Sequence, residues 1–348
     1  MLIRFFALLF FGSNVAAFAQ QVQPTATPSV VYSIRNPEAI SQYQVNAPVV
    51  RAMVDRLVMA VTNRLTVASA WASLVAPTDK IGIKISAAGG QLFTTHRAIV
   101  EAVVDGLVAA GHARSSIIVW DRQLAGIKDA GYRPGAEGFQ LLAIEPREGY
   151  DAKATFTAPV LGKLIWGDLD YIPRHGESPL GSENANTSNV SHFAKILAHQ
   201  VTKIINLPVM SDSGATGLAG CIHNVTLPNI DNWRRFTQFG NTSAYAMAEL
   251  YADPMIRPKV VLNLMDGLLV SYADGPESHP NFAVHQGRLL ASKDPVAIDA
   301  LALQTIEPLR AQAKLPPIGE LAAHVSLAGQ MGIGNAEPAR ITVKEIGR

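Results

Sequence analysis

Residues 203–236, KIINLPVMSDSGATGLAGCIHNVTLPNIDNWRRF, decide the fold of this chain. The segment opens with Lys203–Leu207, an apolar and β-branched run that predicts a buried strand. Pro208 ends the strand because proline lacks the N–H that a sheet ladder requires. The polar residues 211–217 then predict a loop, and the small residues after them lead into a helix. Open α/β sheets place ligands at such loops, beyond the carboxyl ends of their strands, although an ordinary capped loop shows the same pattern.

Composition limits the class of protein. The chain has 348 residues, 48% of them hydrophobic, so it can bury a large core in one α/β domain or two smaller ones. A formal net charge of +1 gives no electrostatic argument for binding nucleic acid or an anionic membrane surface. Cys221 is the single cysteine, which excludes an intramolecular disulfide and a cysteine-ligated iron–sulfur cluster. Its small neighbours predict a buried thiol.

Residues 1–19 have the features of a bacterial secretory signal peptide. Arg4 supplies a positive charge, residues 5–11 form an apolar run, and Ala17-Phe18-Ala19 is a small-x-small cleavage site. The apolar run is too short for a comfortable transmembrane helix. We therefore expect cleavage after Ala19, a periplasmic or secreted location, and no stable membrane span after cleavage.

The remaining chain predicts one large α/β domain. Residues 20–47 are rich in Gln, Pro, Thr and Ser and predict a leader or linker without a core of its own, so the domain is assigned to residues 48–348. Its clearest unit is a helix between two apolar strands, 80–86 and 116–121, which predicts a right-handed crossover and a parallel pair. We expect a mixed, mostly parallel central sheet with helices on both faces and a smaller side sheet near residues 155–172.

Polar residues stand where the predicted strands end. They are Lys84, Asp121, Asn206, Asp212 and Asp266. In a parallel sheet these side chains meet at one rim. Lysine is costly to bury without a partner, so Lys84 is either the cation of a ligand site or half of a structural ion pair with an aspartate. In the first case Asp121 and Asp266 act as acid, base or metal ligands, and residues 211–217 share one anionic or oxygen-rich ligand with Lys84.

Other motifs are sparse. The sequence has no nucleophile elbow, Walker loop or dinucleotide fingerprint. The histidines lack zinc spacing, while Asp212, Asp266 and Asp294 could together hold a divalent cation. Asp294-Pro295 predicts a helix start, with the aspartate as the cap. The tryptophans are scattered and indicate no stacking platform, and Arg234-Arg235 predicts an exposed basic pair.

Four segments match one family in order and spacing. They are Ile81-Gly82-Ile83-Lys84 with Thr94-Thr95-His96, Leu207-Pro208-Val209 with Thr216-Gly217 and Asn224, Asp266-Gly267 with Gly275-Pro276, and Asp294-Pro295-Val296-Ala297 with Asp299. Over roughly residues 78–335 the chain resembles the "domain of unknown function 362" family of bacterial and archaeal proteins. The resemblance implies the family fold and no particular chemistry. Together with the rim it gives the ligand-binding candidates Thr95, His96, Asp212, Ser213, Thr216 and Asn224.

The chain departs from the family pattern in the central segment. Many relatives carry Lys and His after Leu-Pro-Val and Lys before the Asn, where this chain has Ser211, Ser213 and His223. Two hypotheses follow. The first is an exported small-molecule-binding protein or enzyme that uses the rim, and the second is a non-catalytic exported protein that captures a ligand or a partner. Retention of Lys84 and of the Asp-Pro-Val-Ala-x-Asp helix at 294–299 favours the first, and the loss of lysines in the central segment favours the second.

Overall fold

The computed structural model describes residues 27–172, 186–237, 242–277 and 279–347. The predicted signal peptide, the first residues of the predicted leader and residues 173–185 lie outside these ranges. The strands are β1 (Ser29–Arg35), β2 (Ile40–Ser41), β3 (Gln44–Val45), β4 (Ile81–Ile85), β5 (Ile118–Gln123), β6 (Gln140–Glu145), β7 (Tyr150–Lys163), β8 (Thr187–Ala194), β9 (Lys203–Leu207), β10 (Val209–Ser213), β11 (Gly217–Leu218), β12 (Val260–Ser271), β13 (Ala283–Ser292) and β14 (Ile341–Glu345). The helices are α1 (Ala47–Thr62), α2 (Val67–Ala72), α3 (Arg97–Ala109), α4 (Leu124–Asp129), α5 (Cys221–Val225), α6 (Thr242–Ala252), α7 (Pro295–Gln312) and α8 (Ala323–Gln330).

The central sheet confirms the predicted fold class. Its described part has 10 strands, whose main order is β14-β1-β13-β12-β9-β4-β5-β6. The run from β12 through β9, β4 and β5 to β6 is parallel, and β13 is antiparallel to both β1 and β12. Two small antiparallel sheets, β2-β3 and β7-β8, lie apart from it, and the second includes the predicted side sheet.

Helices cover both faces of the sheet, because successive side chains of a strand point to opposite faces and both faces carry apolar residues. In β5, Val119 packs into the cluster that contains α1, α2 and α3, whereas Trp120 packs into the cluster that contains α5 to α8. Cys221 is fully buried in the second cluster, as predicted. Within the described residues, no helix is both long and apolar enough to cross a membrane.

The prediction that residues 20–47 form a leader without a core is wrong from Ser29 onward. β1 lies inside the central sheet, antiparallel to β13 and parallel to β14. Val31 and Ile34 are buried, so this short strand contributes to the core. Composition concealed it because seven strand residues stand within a longer stretch of polar and proline-rich sequence.

The prediction of a loop at residues 211–217 is also wrong, because these residues belong to two strands and the turn between them. After Pro208 the chain continues as β10, parallel to β12, and turns back into β11, where Ser213 pairs with Gly217. The polar side chains of this hairpin are buried. Hydrogen bonds within the protein satisfy them, and a composition argument cannot see such bonds.

Candidate functional site

A row of polar residues crosses the middle of the sheet. Asn263 of β12, Asn206 of β9 and Lys84 of β4 are neighbours in register, and Trp120 of β5 continues the row. All four side chains are fully buried. The central strands are therefore not apolar up to their ends, and their polar groups must be satisfied inside the protein.

Lys84 is enclosed by acceptors. Its ammonium donates to Asp121 Oδ1 at 2.5 Å, to the carbonyl of Ile85 at 2.8 Å and to Asn224 Oδ1 at 3.2 Å. Burial lowers the pKa of Lys84, and the charge of Asp121 opposes that shift. Because an ammonium has three hydrogens, these bonds leave none for a ligand. Lys84 is thus an ion-pair partner of Asp121, and any effect on a ligand passes through its neighbours.

Asp121 lies in the carboxyl-terminal half of β5 and is buried except for a small exposed fraction of its side chain. Its Oδ2 accepts a hydrogen bond from the backbone N–H of Ala87 at 2.7 Å. The residue is 8% exposed, and each carboxylate oxygen can accept a further bond. The carboxylate is therefore an oriented acceptor at the rim.

Helix α5 is fixed onto the polar row. Asn224 donates to Asn206 Oδ1 at 2.8 Å, and Asn206 donates to Asn263 Oδ1 at 2.8 Å. From above, the carboxylate of Asp299 on α7 accepts the backbone N–H groups of Cys221 at 2.6 Å and Ile222 at 3.0 Å. These bonds hold α5, and with it His223, over the sheet. Asn224 and Asp299 therefore have structural roles.

His223 completes this group. The residue is half-buried, and its ring makes no hydrogen bond to any described residue. Burial and the charge of Lys84 lower the pKa of His223 to about 4, while Asp121 opposes them. The imidazole is therefore neutral at pH 7 and carries a lone pair that can accept a hydrogen bond or a proton. We define Lys84, Asp121, Asn224 and His223 as the rim cluster.

Asp266 belongs to a second group. Its Oδ2 accepts the backbone N–H of His96 at 2.8 Å and lies 2.7 Å from His96 Nδ1. Burial alone would lower the pKa of His96, but Asp266 raises it overall. Thr95 donates to the carbonyl of Leu207 at 2.6 Å and accepts the N–H of Ser86. In the described part of the chain, no hydrogen bond or ion pair joins Asp266 to the rim cluster.

Asp212, Ser213 and Thr216 form a third group. Asp212 accepts bonds from Ser271 at 3.3 Å and from the N–H of Gly275 at 3.1 Å, and its carboxylate lies 3.6 Å from Arg310 Nη1. Burial raises the pKa of Asp212. Thr216 bonds to the hydroxyl of Ser213 at 2.9 Å. The structure therefore brings Lys84 and Asp121 together but gives Asp212 and Asp266 separate partners.

Asp212, Asp266 and Asp294, the predicted cation ligands, each have separate hydrogen-bond partners and do not form one group. Asp294 caps α7 by accepting the N–H of Ala297 at 3.0 Å, and it also binds Ser29 and the N–H of Asn335. This confirms the predicted helix start. Among the described residues, no group of three His, Cys, Asp or Glu side chains is placed to hold a metal ion.

Arg235 is not the surface residue that the sequence predicts. Its guanidinium is buried and donates to the carbonyls of Phe156, Ala158, Val160 and Asn189 in β7 and β8. Sequence reasoning also missed the neutral His223, although its position before Asn224 marked a departure from the family pattern. That departure was the available signal.

Comparison with known proteins supports the family and nothing narrower. No curated protein matches the chain. A crystal structure of a protein from Thermotoga maritima, determined by the Northeast Structural Genomics Consortium, is similar over 79% of this chain and 61% of that chain, with 10% identity and a TM-score of 0.40. This chain thus spans less than two thirds of that protein. The model of the domain of unknown function family DUF362 matches residues 80–304, more than half of the sequence, so the chain belongs to this family.

Proposed function

We propose that the protein binds a small oxygen-rich ligand at the rim cluster. The observation that carries the proposal is the position of His223 on α5, directly before the Asn224 that binds Lys84 and Asn206, with no hydrogen bond from its ring to any described residue. A partly exposed acceptor beside an oriented carboxylate suits a molecule that donates hydrogen bonds.

The donors and acceptors favour a hydroxyl-bearing ligand over a simple anion. Asp121 and His223 both offer lone pairs, whereas the hydrogens of Lys84 are already used. A polyol, sugar or hydroxy acid can donate to both acceptors. Asp121 and His223 could also share a divalent cation with such a ligand, because carboxylate and imidazole are both metal ligands.

A ligand screen tests this proposal. The chain is screened by thermal shift and saturation-transfer NMR against neutral polyols and sugars, hydroxy acids, and inorganic phosphate as the anionic probe. We expect a hydroxyl-bearing compound to bind. Asp121→Asn should then weaken its affinity about tenfold or more, and His223→Ala several-fold, because hydrogen bonds to charged groups are the stronger ones.

The matched control is His279→Gln, which changes an exposed histidine outside the rim cluster. It should leave the affinity unchanged. Binding of phosphate alone, or equal affinity in all the variants, would contradict the proposal.

The second candidate function is an enzyme that uses the same residues. A neutral imidazole can take a proton from a hydroxyl that is hydrogen-bonded to it, and Asp121 can orient that hydroxyl. Product analysis after incubation with the bound compound separates the two candidates. Recovery of the unchanged compound supports capture, and a product that disappears in His223→Ala supports catalysis.

We also propose that this binding takes place outside the cytoplasm. The support is the order of charge, apolar run and small-residue cleavage site in residues 1–19.

A further inference from the structure

A cleft opens beside the carboxyl ends of β5 and β6. Its volume is about 780 Å³, within the range of small-molecule sites. Leu124 and Ile144 form its apolar walls, and three aromatic side chains, Tyr150, Trp166 and Tyr171, also line it.

Of the three rings, that of Trp166 is largely open, whereas Tyr150 is buried. Trp166 is 81% exposed, and its ring meets that of Tyr171 edge-on, with centroids 6.4 Å apart and planes at 74°. Tyr150 is held by a hydrogen bond from its hydroxyl to Glu145 Oε1 at 2.5 Å. An exposed indole beside a concave surface is a feature of binding sites, because water solvates such a ring poorly.

The charged groups of the cleft are carboxylates. Glu145 and Asp168 line it, and no Lys, Arg or His does among the described residues. Glu145 forms an ion pair of 2.8 Å with Arg122, whose guanidinium stacks on the ring of Trp233. Asp168 accepts the backbone N–H groups of Ile165 and Asn232, each at 2.8 Å.

Asp168 has no ion-pair partner in the described part of the chain, so backbone N–H groups and no side-chain cation offset its negative charge. The face of an aromatic ring carries partial negative charge, which the lining rings can add to that of Asp168.

We propose that this cleft binds an organic ammonium cation, such as a methylated amine. Electron-rich ring faces attract a weakly hydrated cation, and quaternary ammonium ligands are the established use of such aromatic sites. The carboxylate of Asp168, which lines the cleft without an ion-pair partner among the described residues, adds attraction. An anion would find no basic side chain on the described walls. The ligand proposed for Asp121 and His223 is of another kind. It is recognised by the hydrogen bonds that it donates and needs no positive charge.

The test compares two probes of equal shape. Choline and its uncharged carbon isostere, 3,3-dimethylbutan-1-ol, are titrated into the full chain by isothermal calorimetry. We expect choline to bind at least tenfold more tightly, because the two compounds differ only in the charge. Equal affinities would show an apolar cleft without cation recognition and would overturn the proposal, as would the failure of choline to bind at millimolar concentration.

Variants locate the site. Trp166→Ala removes an exposed side chain, so the fold should persist, and choline affinity should fall about tenfold. Leu161→Ala, which changes an exposed residue of β7 outside the cleft walls, is the matched control. His279→Gln, at an exposed histidine outside the rim cluster and the cleft walls, should also leave choline affinity unchanged. Unchanged affinity in Trp166→Ala would contradict the proposal.

Discussion

Lys84 Nζ lies 2.5 Å from Asp121 Oδ1, and the two residues belong to adjacent parallel strands. The pair is almost fully buried, with side-chain exposures of 0% and 11%. It therefore joins β4 to β5 and also sets the charge next to His223. Its structural and functional roles can be separated by measuring stability and binding on the same variants.

Replacing Lys84 should cost substantial stability. Lys84→Met keeps most of the volume but leaves Asp121 and Asn224 without their donor, so we expect a loss of about 3–5 kcal/mol in the free energy of unfolding. Denaturant titration measures it. The double variant Lys84→Met/Asp121→Asn should recover part of the loss, because no unpaired charge remains.

The control for this change is an exposed ion pair. Arg51→Met breaks the pair of Arg51 and Asp105, whose side chains are 44% and 39% exposed, and should cost less than about 1 kcal/mol. Equal costs for Lys84→Met and Arg51→Met would contradict a buried, structurally important pair.

Asp294 should contribute more than an ordinary helix cap. Asp294→Ala removes the cap of α7 and also the bonds to Ser29 and Asn335, so we expect a cost of about 2–4 kcal/mol. Thr66→Ala, which removes the exposed cap of α2 and a bond to the hydroxyl of Ser69 in the same turn, should cost about 1 kcal/mol. If thermal unfolding shows the two costs to be equal, the tie between β1 and α7 contributes nothing.

His324 should make the protein sensitive to acid. Both of its ring nitrogens are buried without a hydrogen-bond partner in the described residues, and burial, with His223 adding to it, lowers its pKa to about 3. Since the folded pKa lies below the unfolded value of 6.5, the unfolded state binds more protons as the pH falls. Stability is therefore present above pH 6.5 and is lost as the pH falls from 6.5 towards 3.

Removing this imidazole should abolish its contribution to the loss of stability in acid. His324→Phe should raise the free energy of unfolding by about 1–3 kcal/mol at pH 7, because a buried unsatisfied group is removed. Its advantage over the natural protein should grow between pH 6.5 and pH 4. His279→Phe, at an exposed position, should show no such growth. Parallel stability curves for His324→Phe and the natural protein would contradict the assignment.

The predicted signal peptide implies that the mature protein has a defined N-terminus at Gln20. Expression of the full chain in a bacterial host should yield a periplasmic protein whose intact mass corresponds to a start at Gln20, because Ala17-Phe18-Ala19 has the small-x-small pattern of a signal-peptidase site. Ala19→Pro should block the cleavage, whereas Ala26→Pro, seven residues after the cleavage site, should not. A full-length chain in the cytoplasm would contradict the prediction.

The sequence predicted the elements that carry a strong local signal. Runs such as Lys203–Leu207 are apolar enough to identify the parallel strands, and Asp294-Pro295 identifies a helix start. Lys84 could be expected to pair with an aspartate, because a buried lysine requires a partner. The pairing of Asp121 with Lys84 follows from the βαβ unit that places their strands side by side.

The rest depended on contacts between distant parts of the chain. β10 and β11 carry polar side chains that are satisfied only after folding, so their composition resembles a loop. The neutral state of His223 depends on burial and on Lys84, which α5 reaches through Asn224. The cleft wall likewise combines Ile144 of β6 with Trp166 after β7. No local pattern contains either arrangement.

The most direct test of the rim cluster observes His223 itself. The protein is labelled with ¹⁵N-histidine, and the ring nitrogens are followed by NMR while the best hydroxyl-bearing compound from the screen is added. We predict that the acceptor nitrogen of His223, assigned with His223→Ala, shifts in proportion to saturation as it accepts a hydrogen bond, while the exposed His199 does not shift. A compound that saturates the protein and leaves the His223 signal unchanged would contradict the account.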